Sequence, residues 1–198
     1  FVGDAMVVIF SAPLAQADHR QRALDCALAM DAFATAYAHR LQAQGTRWGL
    51  TRIGVHTGEV LVGNFGGKML FDYRALGDPI NTAARLESVN KHLGTRMCVS
   101  QDLLDGCTCV AARTVGRVLL KGKRHALQVC TPMAALDATR CAPAAEYDAA
   151  LRLLQPGQAH DASAAARRFA AMAEHFPQDP LVALHLRRLR DGATDELV

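Results

Sequence analysis

The chain reads as an α+β fold: one sheet carrying helices on one face, followed by an α-helical tail. Three observations predict this. Short apolar, β-branched runs at residues 5–10, 48–56, 59–63, 97–99, 115–120 and 126–130 are bounded by turn residues such as Gly3-Asp4, Thr57-Gly58 and Gly66-Gly67. Segments of helical period lie between them, but hairpin connections outnumber βαβ units, which favours a mixed sheet over a doubly wound one. After Pro132 the composition shifts to Ala, Arg and Leu, with no further strand signal. Residues 1–137 are therefore expected to form one domain and residues 138–198 a helical appendage.

Taken in order, Gly3-Asp4 reads as a tight turn that puts Asp4 at the end of a strand over residues 5–10. A carboxylate there is suited to holding Mg²⁺ against substrate phosphates, because this hard cation is commonly bound by one or two carboxylates. Asp18 is placed to cap a long helix with Leu24, Ala27, Leu28, Phe33, Tyr37 and Leu41 as its apolar face, and Gly45 lies just beyond its end. Two strands, 48–56 and 59–63, join through Thr57-Gly58, with His56 a structural hydrogen-bonder at a strand end. The glycines near Lys68 lack the spacing of a phosphate loop, and no Ser or Thr follows that lysine.

The segment from Asp78 to Ser88, DPINTAARLES, is the most informative helix start. Asp78 has the chemistry of a side-chain N-cap, and Pro79 fits the first helical position, where a missing N–H costs nothing. At ~100° per residue Ala83, Leu86, Val89 and Leu93 fall on one arc suited to a core, while Asn81, Arg85 and Ser88 fall on the opposite one. Asn81 and Arg85 are one turn apart. An amide that can bond a sugar oxygen beside a guanidinium that can fork onto phosphate suits a nucleoside triphosphate. Ser100 then caps a short helix through Leu104, and a closing hairpin turns at residues 121–125. In the tail, residues 144–154, 162–175 and 181–189 read as three helices, stopped in turn by Pro156-Gly157, Pro177 and Gly192. Ala165, Phe169 and Pro177 have the spacing of the second half of a tetratricopeptide repeat, and the first half does not match.

The 198 residues are 51% hydrophobic, enough for one substantial core plus an appendage. The net charge of +3 is uneven: residues 1–137 carry 15 Lys/Arg against 11 Asp/Glu, and residues 138–198 carry 7 against 8. That modest surplus suits an anionic nucleotide and not nucleic acid, which demands a concentrated basic stripe. Six cysteines without a C-x-x-C pair read as reduced, buried thiols. With no apolar run of ~18 residues, no membrane segment is expected within the chain, and a cytoplasmic location is.

Order and spacing add a resemblance. GDAMVVIF, a long helix, RIGVHTGEVLVGNFG (52–66), DYRALGDPINTAARLES (72–88) and LLKGKRHALQVC (119–130) resemble the catalytic domain of class III adenylyl and guanylyl cyclases of the bacterial adenylate cyclase type, over residues 1–133. The resemblance implies the class III nucleotide cyclase fold, a ferredoxin-like βαββαβ core whose first strand and helices are missing here. It further implies an adenylate cyclase that converts ATP to 3′,5′-cyclic AMP and pyrophosphate for intracellular signalling, with two Mg²⁺ or Mn²⁺ ions per site. By the same resemblance Asp4 matches a metal carboxylate, Asn81 the ribose-orienting amide and Arg85 the transition-state cation, while Lys121 and Lys123 match the polyphosphate segment. The family arrangement is a homodimer with shared active sites, each drawing its metal carboxylate from one chain and its Asn/Arg pair from the other.

Two departures stand beside the matches. The family's first metal Asp and purine-reading Lys precede the GD turn and are not in this chain, so the chain as given is expected to make little cyclic nucleotide. Arg74 occupies the position where adenylyl cyclases carry Asp or Thr to accept from adenine, and Arg has no acceptor. A guanylate cyclase, or a cyclase-like module that binds nucleotide or a partner without turnover, are the alternatives that Arg74 keeps open.

Overall fold

The structure, a computed structural model, describes residues 3–67, 70–108, 110–156, 160–195 and 197–198. Phe1, Lys68 and Cys109 lie outside the described residues. In chain order come α1 (His19–Ala43), β1 (Ile53–Val55), β2 (Leu61–Gly67), β3 (Leu70–Leu76), α2 (Asp78–Leu93), β4 (Met97–Ser100), α3 (Gln101–Leu104), β5 (Ala112–Val118) and β6 (Leu127–Pro132). Three further helices follow: α4 (Ala144–Leu151), continued by a 3-10 turn over Arg152–Leu154, then α5 (Ala162–His175) and α6 (Pro180–Arg190). The main sheet has the order β1-β4-β6-β5; β1 and β4 are parallel across α2, and the other pairs are antiparallel. A separate antiparallel ribbon joins β2 to β3.

Period-two alternation along β4 explains the layering. Met97 and Val99 pack with Leu24, Ala27 and Leu103 on the α1 side, whereas Cys98 joins Leu86, Leu93, Val115 and Val129 on the other. α2 and the tail helices share that second face and α1 covers the opposite one, so within the α+β fold the sheet carries helices on both faces, where the sequence predicts one. The larger core runs without a break into the tail, since Tyr147, Phe169 and Leu181 belong to it. Tyr147 meets Phe169 edge-on at 5.7 Å between ring centroids, and Phe169 stacks on His185 at 5.2 Å.

Polar clamps set the register of these layers. Arg96 Nε and Nη2 donate to the two carboxylate oxygens of Asp31, each at 2.9 Å, tying α1 to the start of β4. The fully buried Asn90 donates Nδ2 to the Ile53 carbonyl at 3.0 Å and accepts from Thr95 Oγ1 at 2.7 Å, which fastens α2 to β1. Arg113 on β5 and Asp179 ahead of α6 form a salt bridge of 2.7 Å in which neither side chain is exposed.

Several local expectations change. Residues 5–10 are not a strand among the described residues: only Ala5 makes a bridge, because β-structure needs a paired neighbour as well as propensity. Residues 48–52 and 59–60 likewise stay outside strands. Asp18 and Asp78 make no side-chain cap; Asp18 instead binds Arg22, and Gly77 is the N-cap of α2. Phe33 is 72% exposed, because the buried stripe of α1 runs through Leu24, Ala27, Asp31 and Ala38, leaving Phe33 on another side. Ala83 and Val89 are half-buried, and Thr82 and Asn90 take places on the buried side of α2 beside Leu86 and Leu93. The described cysteines are free thiols; burial pushes Cys98 up to about 12 and Cys130 to about 11, so both stay protonated and inert.

His185 yields a pH prediction. Its Nε2 lies 2.9 Å from the Val115 carbonyl, and burial lowers its pKa from 6.5 to about 4. The unfolded state therefore binds more protons between these values, so stability falls as pH drops from about 6.5 to about 4 and levels off below. The loss is on the order of 3 kcal/mol, from ~1.4 kcal/mol per pKa unit. Urea titrations across this range are expected to show the slope, and His185→Gln is expected to flatten it.

Candidate active site

The candidate site forms where α2 begins and the β5–β6 turn comes up against it. Gly77, at φ 154, lets the chain leave β3 and enter the helix, and Pro79 fills the first turn. The seat of the helix is fixed by close approach: a Cβ on Gly54 would stand 2.2 Å from the Ala83 carbonyl oxygen and 2.3 Å from the Glu87 nitrogen. Glycine at this one position of β1 thus lets α2 lie directly on the strand. Gly58 does the same at the helix start, where a Cβ would meet Pro79 Cγ at 2.5 Å.

On this seat Asn81 is exposed and Arg85 half-buried, one turn apart as the helical phase predicts. The Arg85 guanidinium lies over Gly122 at the β5–β6 turn, where a Cβ would come within 3.5 Å of Nη2. Gly122 adopts φ 76, the left-handed conformation that favours glycine, and the Lys123 amide closes the turn by donating to the Leu120 carbonyl at 2.9 Å. Lys123 is thereby aimed at the start of α2, where its ammonium donates to the Asp78 carboxylate. That hydrogen bond holds the Asp78 carboxyl below its ordinary range, and the charges of Lys123, Arg85 and His56 add to it. Lys121, on the near side of Gly122, is exposed.

His56, just past β1, is the structural hydrogen-bonder that its position predicts. Its Nδ1 lies 2.8 Å from Ser100 Oγ. Burial lowers its pKa and Lys123 adds to the effect, against Asp102 and Asp78. Arg74 stands exposed on β3 in register with Gly63. Asp4 is an exposed turn residue after Gly3 at φ 62. Among the described residues no hydrogen bond or ion pair links Asp4 to Asn81, Arg85 or the lysine turn, and no group of three His, Cys, Asp or Glu is placed to hold a metal. A lone exposed carboxylate fits a hard cation that takes its other ligands from water and phosphate. The Asp78–Lys123 pair, the Gly122 seat and the Asn90 clamp escaped the sequence reading; a buried-phase Asn one turn from Leu86 was the available signal for the last.

Comparison with known proteins bears on this arrangement. The profile of the adenylate and guanylate cyclase catalytic domain matches residues 1–131. Adenylate cyclase 1 of Rhizobium meliloti (strain 1021) is 36% identical over 130 residues, covering 65% of this chain and 20% of that protein. The adenylate cyclase of Anabaena cylindrica is 26% identical over 137 residues, or 65% of this chain and 26% of its own length. The chain thus spans about a fifth to a quarter of the length of these curated relatives. Among solved structures, the adenylyl cyclase CyaB from P. aeruginosa superposes with a TM-score of 0.60 at 28% identity, covering 71% of each chain. The guanylyl cyclase Cya2 superposes at 0.56 and 27%, covering 70% of each.

The seat of α2 is testable by itself. Gly54→Ala is expected to cost about 1–3 kcal/mol or more, since the crowding atoms are backbone and cannot rotate away. Gly49→Ala, where a Cβ meets nothing within 4 Å, is expected to stay within ~0.5 kcal/mol of wild type. Denaturant midpoints of the two variants, measured side by side, check this.

Proposed function

The chain belongs to the adenylate and guanylate cyclase catalytic-domain family, and from that premise we propose that it is the catalytic domain of an adenylate cyclase, converting ATP to 3′,5′-cyclic AMP and pyrophosphate for intracellular signalling. The observation that carries this reading is the meeting of Arg85 and Lys123 at Gly122, with Asn81 one helical turn away. It supports the reading because an amide able to bond a sugar oxygen and two cations able to bind phosphate, of different geometry, lie at one end of a helix.

In the proposed reaction the ribose 3′ oxygen attacks the α-phosphorus, the bond from the α-phosphorus to its bridging oxygen breaks, and pyrophosphate leaves. Asn81 orients the ribose so that the attacking oxygen lies in line. Arg85 offsets charge on the α-phosphoryl oxygens as it develops, a contribution of roughly 3 kcal/mol for one well-aimed donor. Lys121 and Lys123 receive the polyphosphate; the Asp78 pair keeps Lys123 extended toward the site until phosphate oxygens compete for it. Two Mg²⁺ or Mn²⁺ ions, with Asp4 among their ligands, would supply Lewis-acid stabilisation of the attacking and leaving oxygens.

A homodimer with shared sites follows from the same reading. Asp4 has no described link to the α2 cluster of its own chain, and large apolar side chains lie exposed beside it and on the β2–β3 ribbon. Met6, Val7 and Val8 are 53%, 48% and 48% exposed, and Leu61, Tyr73 and Leu76 are 67%, 49% and 46% exposed. Such a surface suits a second copy. Each site would then take Asp4 from one chain and Asn81 and Arg85 from the other.

The test is complementation in the intact protein. Asp4→Ala and Arg85→Ala homodimers are each expected to lose about 10²–10³-fold or more in kcat, and mixing them to restore activity, because each mixed dimer keeps one complete site. No recovery between variants shown to exchange subunits would overturn the shared site. Base choice is tested separately. Arg74 keeps GTP as a second reading, because a guanidinium donates to the O6 and N7 acceptors of guanine. We expect kcat/KM to favour ATP, and Arg74→Thr to sharpen that preference; a wild-type preference for GTP that Arg74→Thr abolishes would reverse the assignment.

A further inference from the structure

The β5 edge of the main sheet is covered by a segment of the tail, and the covered stretch ends at the root of the lysine turn. Leu197 bridges Arg117 in parallel, the Val198 amide donates to the Arg117 carbonyl at 2.7 Å, and the Leu119 amide donates back to the Val198 carbonyl at 3.1 Å. Leu120, buried, comes next, and then Lys121, Gly122 and Lys123. The segment is itself held from α6. Arg188 donates to the Leu197 carbonyl, to the Asp195 carbonyl at 3.2 Å and to the Asp195 carboxylate at 3.4 Å, while the Leu197 amide donates to that carboxylate at 3.1 Å. Val198 packs on the larger core. The same helix touches the far end of the helix that carries Asn81 and Arg85, since a Cβ on Gly94, the C-cap of α2, would stand 2.7 Å from Pro180 Cβ at the start of α6.

We propose that Asp195, Leu197 and Val198 form a strap through which α6 sets the position of the lysine turn, making Arg188 and Val198 positioning residues for the polyphosphate contact of the proposed cyclase site. A turn beyond the last strand residue is held by few bonds of its own; here the closing bond is Lys123 N–H to the Leu120 carbonyl. Fixing Leu119 from outside removes the freedom of the edge strand to twist or fray there, and so limits where Lys121 and Lys123 point. The inference rests on the cyclase reading for the ligand but not for the mechanical link.

Two variants of the intact protein test it: Arg188→Ala, which frees the strap from α6, and Val198→Pro, which deletes its donor to Arg117. The first readout needs no ligand. Amide exchange at Lys123 is expected to rise about ten-fold in both variants while the β4 amides of Met97, Cys98 and Val99 stay protected. The second is the Kd for inorganic tripolyphosphate, expected to weaken about ten-fold, with a comparable rise in KM for ATP. If Lys123 exchange and the Kd stay at wild-type values, the strap does not position the turn. Loss of β4 protection together with the turn in both variants also overturns the proposal, because the strap then serves the whole fold. Wild-type protein whose tripolyphosphate affinity ignores Lys121→Ala and Lys123→Ala would instead refute the polyphosphate role of the lysines, while the exchange readout still decides the strap.

Discussion

The buried salt bridge between Arg113 and Asp179 is the constraint that the rest of this structure depends on. Neither side chain reaches solvent, so each charge depends on the partners packed around it. Arg113 Nη1 donates to Asp179 at 2.7 Å, Nη2 donates to the Ala142 carbonyl, and the guanidinium lies 4.4 Å from the Tyr147 ring centroid. Asp179 also accepts from the Ala142 amide at 2.8 Å and from the amides of Leu181 and Val182 at 3.1 and 3.2 Å, so it is at once counter-ion and helix cap. One carboxylate thereby fixes β5, the approach to α4 and the start of α6 relative to one another. Removing either partner leaves the other charge stranded, at a cost of about 3–5 kcal/mol, whereas a well-packed apolar replacement of both is commonly neutral. The surroundings are polar as well: Arg113 Nε, Thr131 Oγ1, Tyr147 Oη and His185 Nδ1 are buried without a hydrogen-bond partner among the described residues. Thr131 faces Arg113 across the β5–β6 ladder.

Everything in the candidate site hangs from elements placed by that junction. β5 carries the strand that leads to Gly122 and Lys123, and α6, begun at Asp179, backs the C-terminal end of α2. α2 in turn is pressed on β1 through Gly54 and pinned by Asn90. Asn81 and Arg85 therefore inherit their positions from close backbone approaches and buried polar bonds, which tolerate little displacement, whereas the Lys123 side chain is oriented by its pair with the exposed Asp78, a weaker hold.

Much of this was legible in the sequence where the signal is local. α5 begins and ends at the residues that composition and Pro177 indicate, and α2 follows from Pro79 and the spacing of Leu86 and Leu93. The surface phase of Asn81 and Arg85 follows from the same period. What the sequence hid is pairing over distance. Asp78 and Lys123 are 45 positions apart, Asp31 and Arg96 65, and Arg113 and Asp179 66. A carboxylate such as Asp31 breaks an apolar face until its partner is known, and hydrophobicity alone puts Phe33 on the buried side. Residues 5–10 show the converse case, in which strong β-propensity produces one bridge because propensity describes a fit to a neighbour and cannot supply one.

The spacing of the buried pair also orders events during synthesis. β5 leaves the ribosome long before Asp179 does, and until α6 has been made the Arg113 guanidinium has no counter-ion, His185 has not reached the Val115 carbonyl, and the apolar faces of Leu86 and Val129 lack Phe169 and Leu181. The nascent cyclase portion is thus held as an incomplete core with exposed apolar surface, a condition that invites chaperone binding and aggregation. Completion of that core requires helices that lie beyond the stretch matching the cyclase domain, so the scaffold of the site depends on residues outside it.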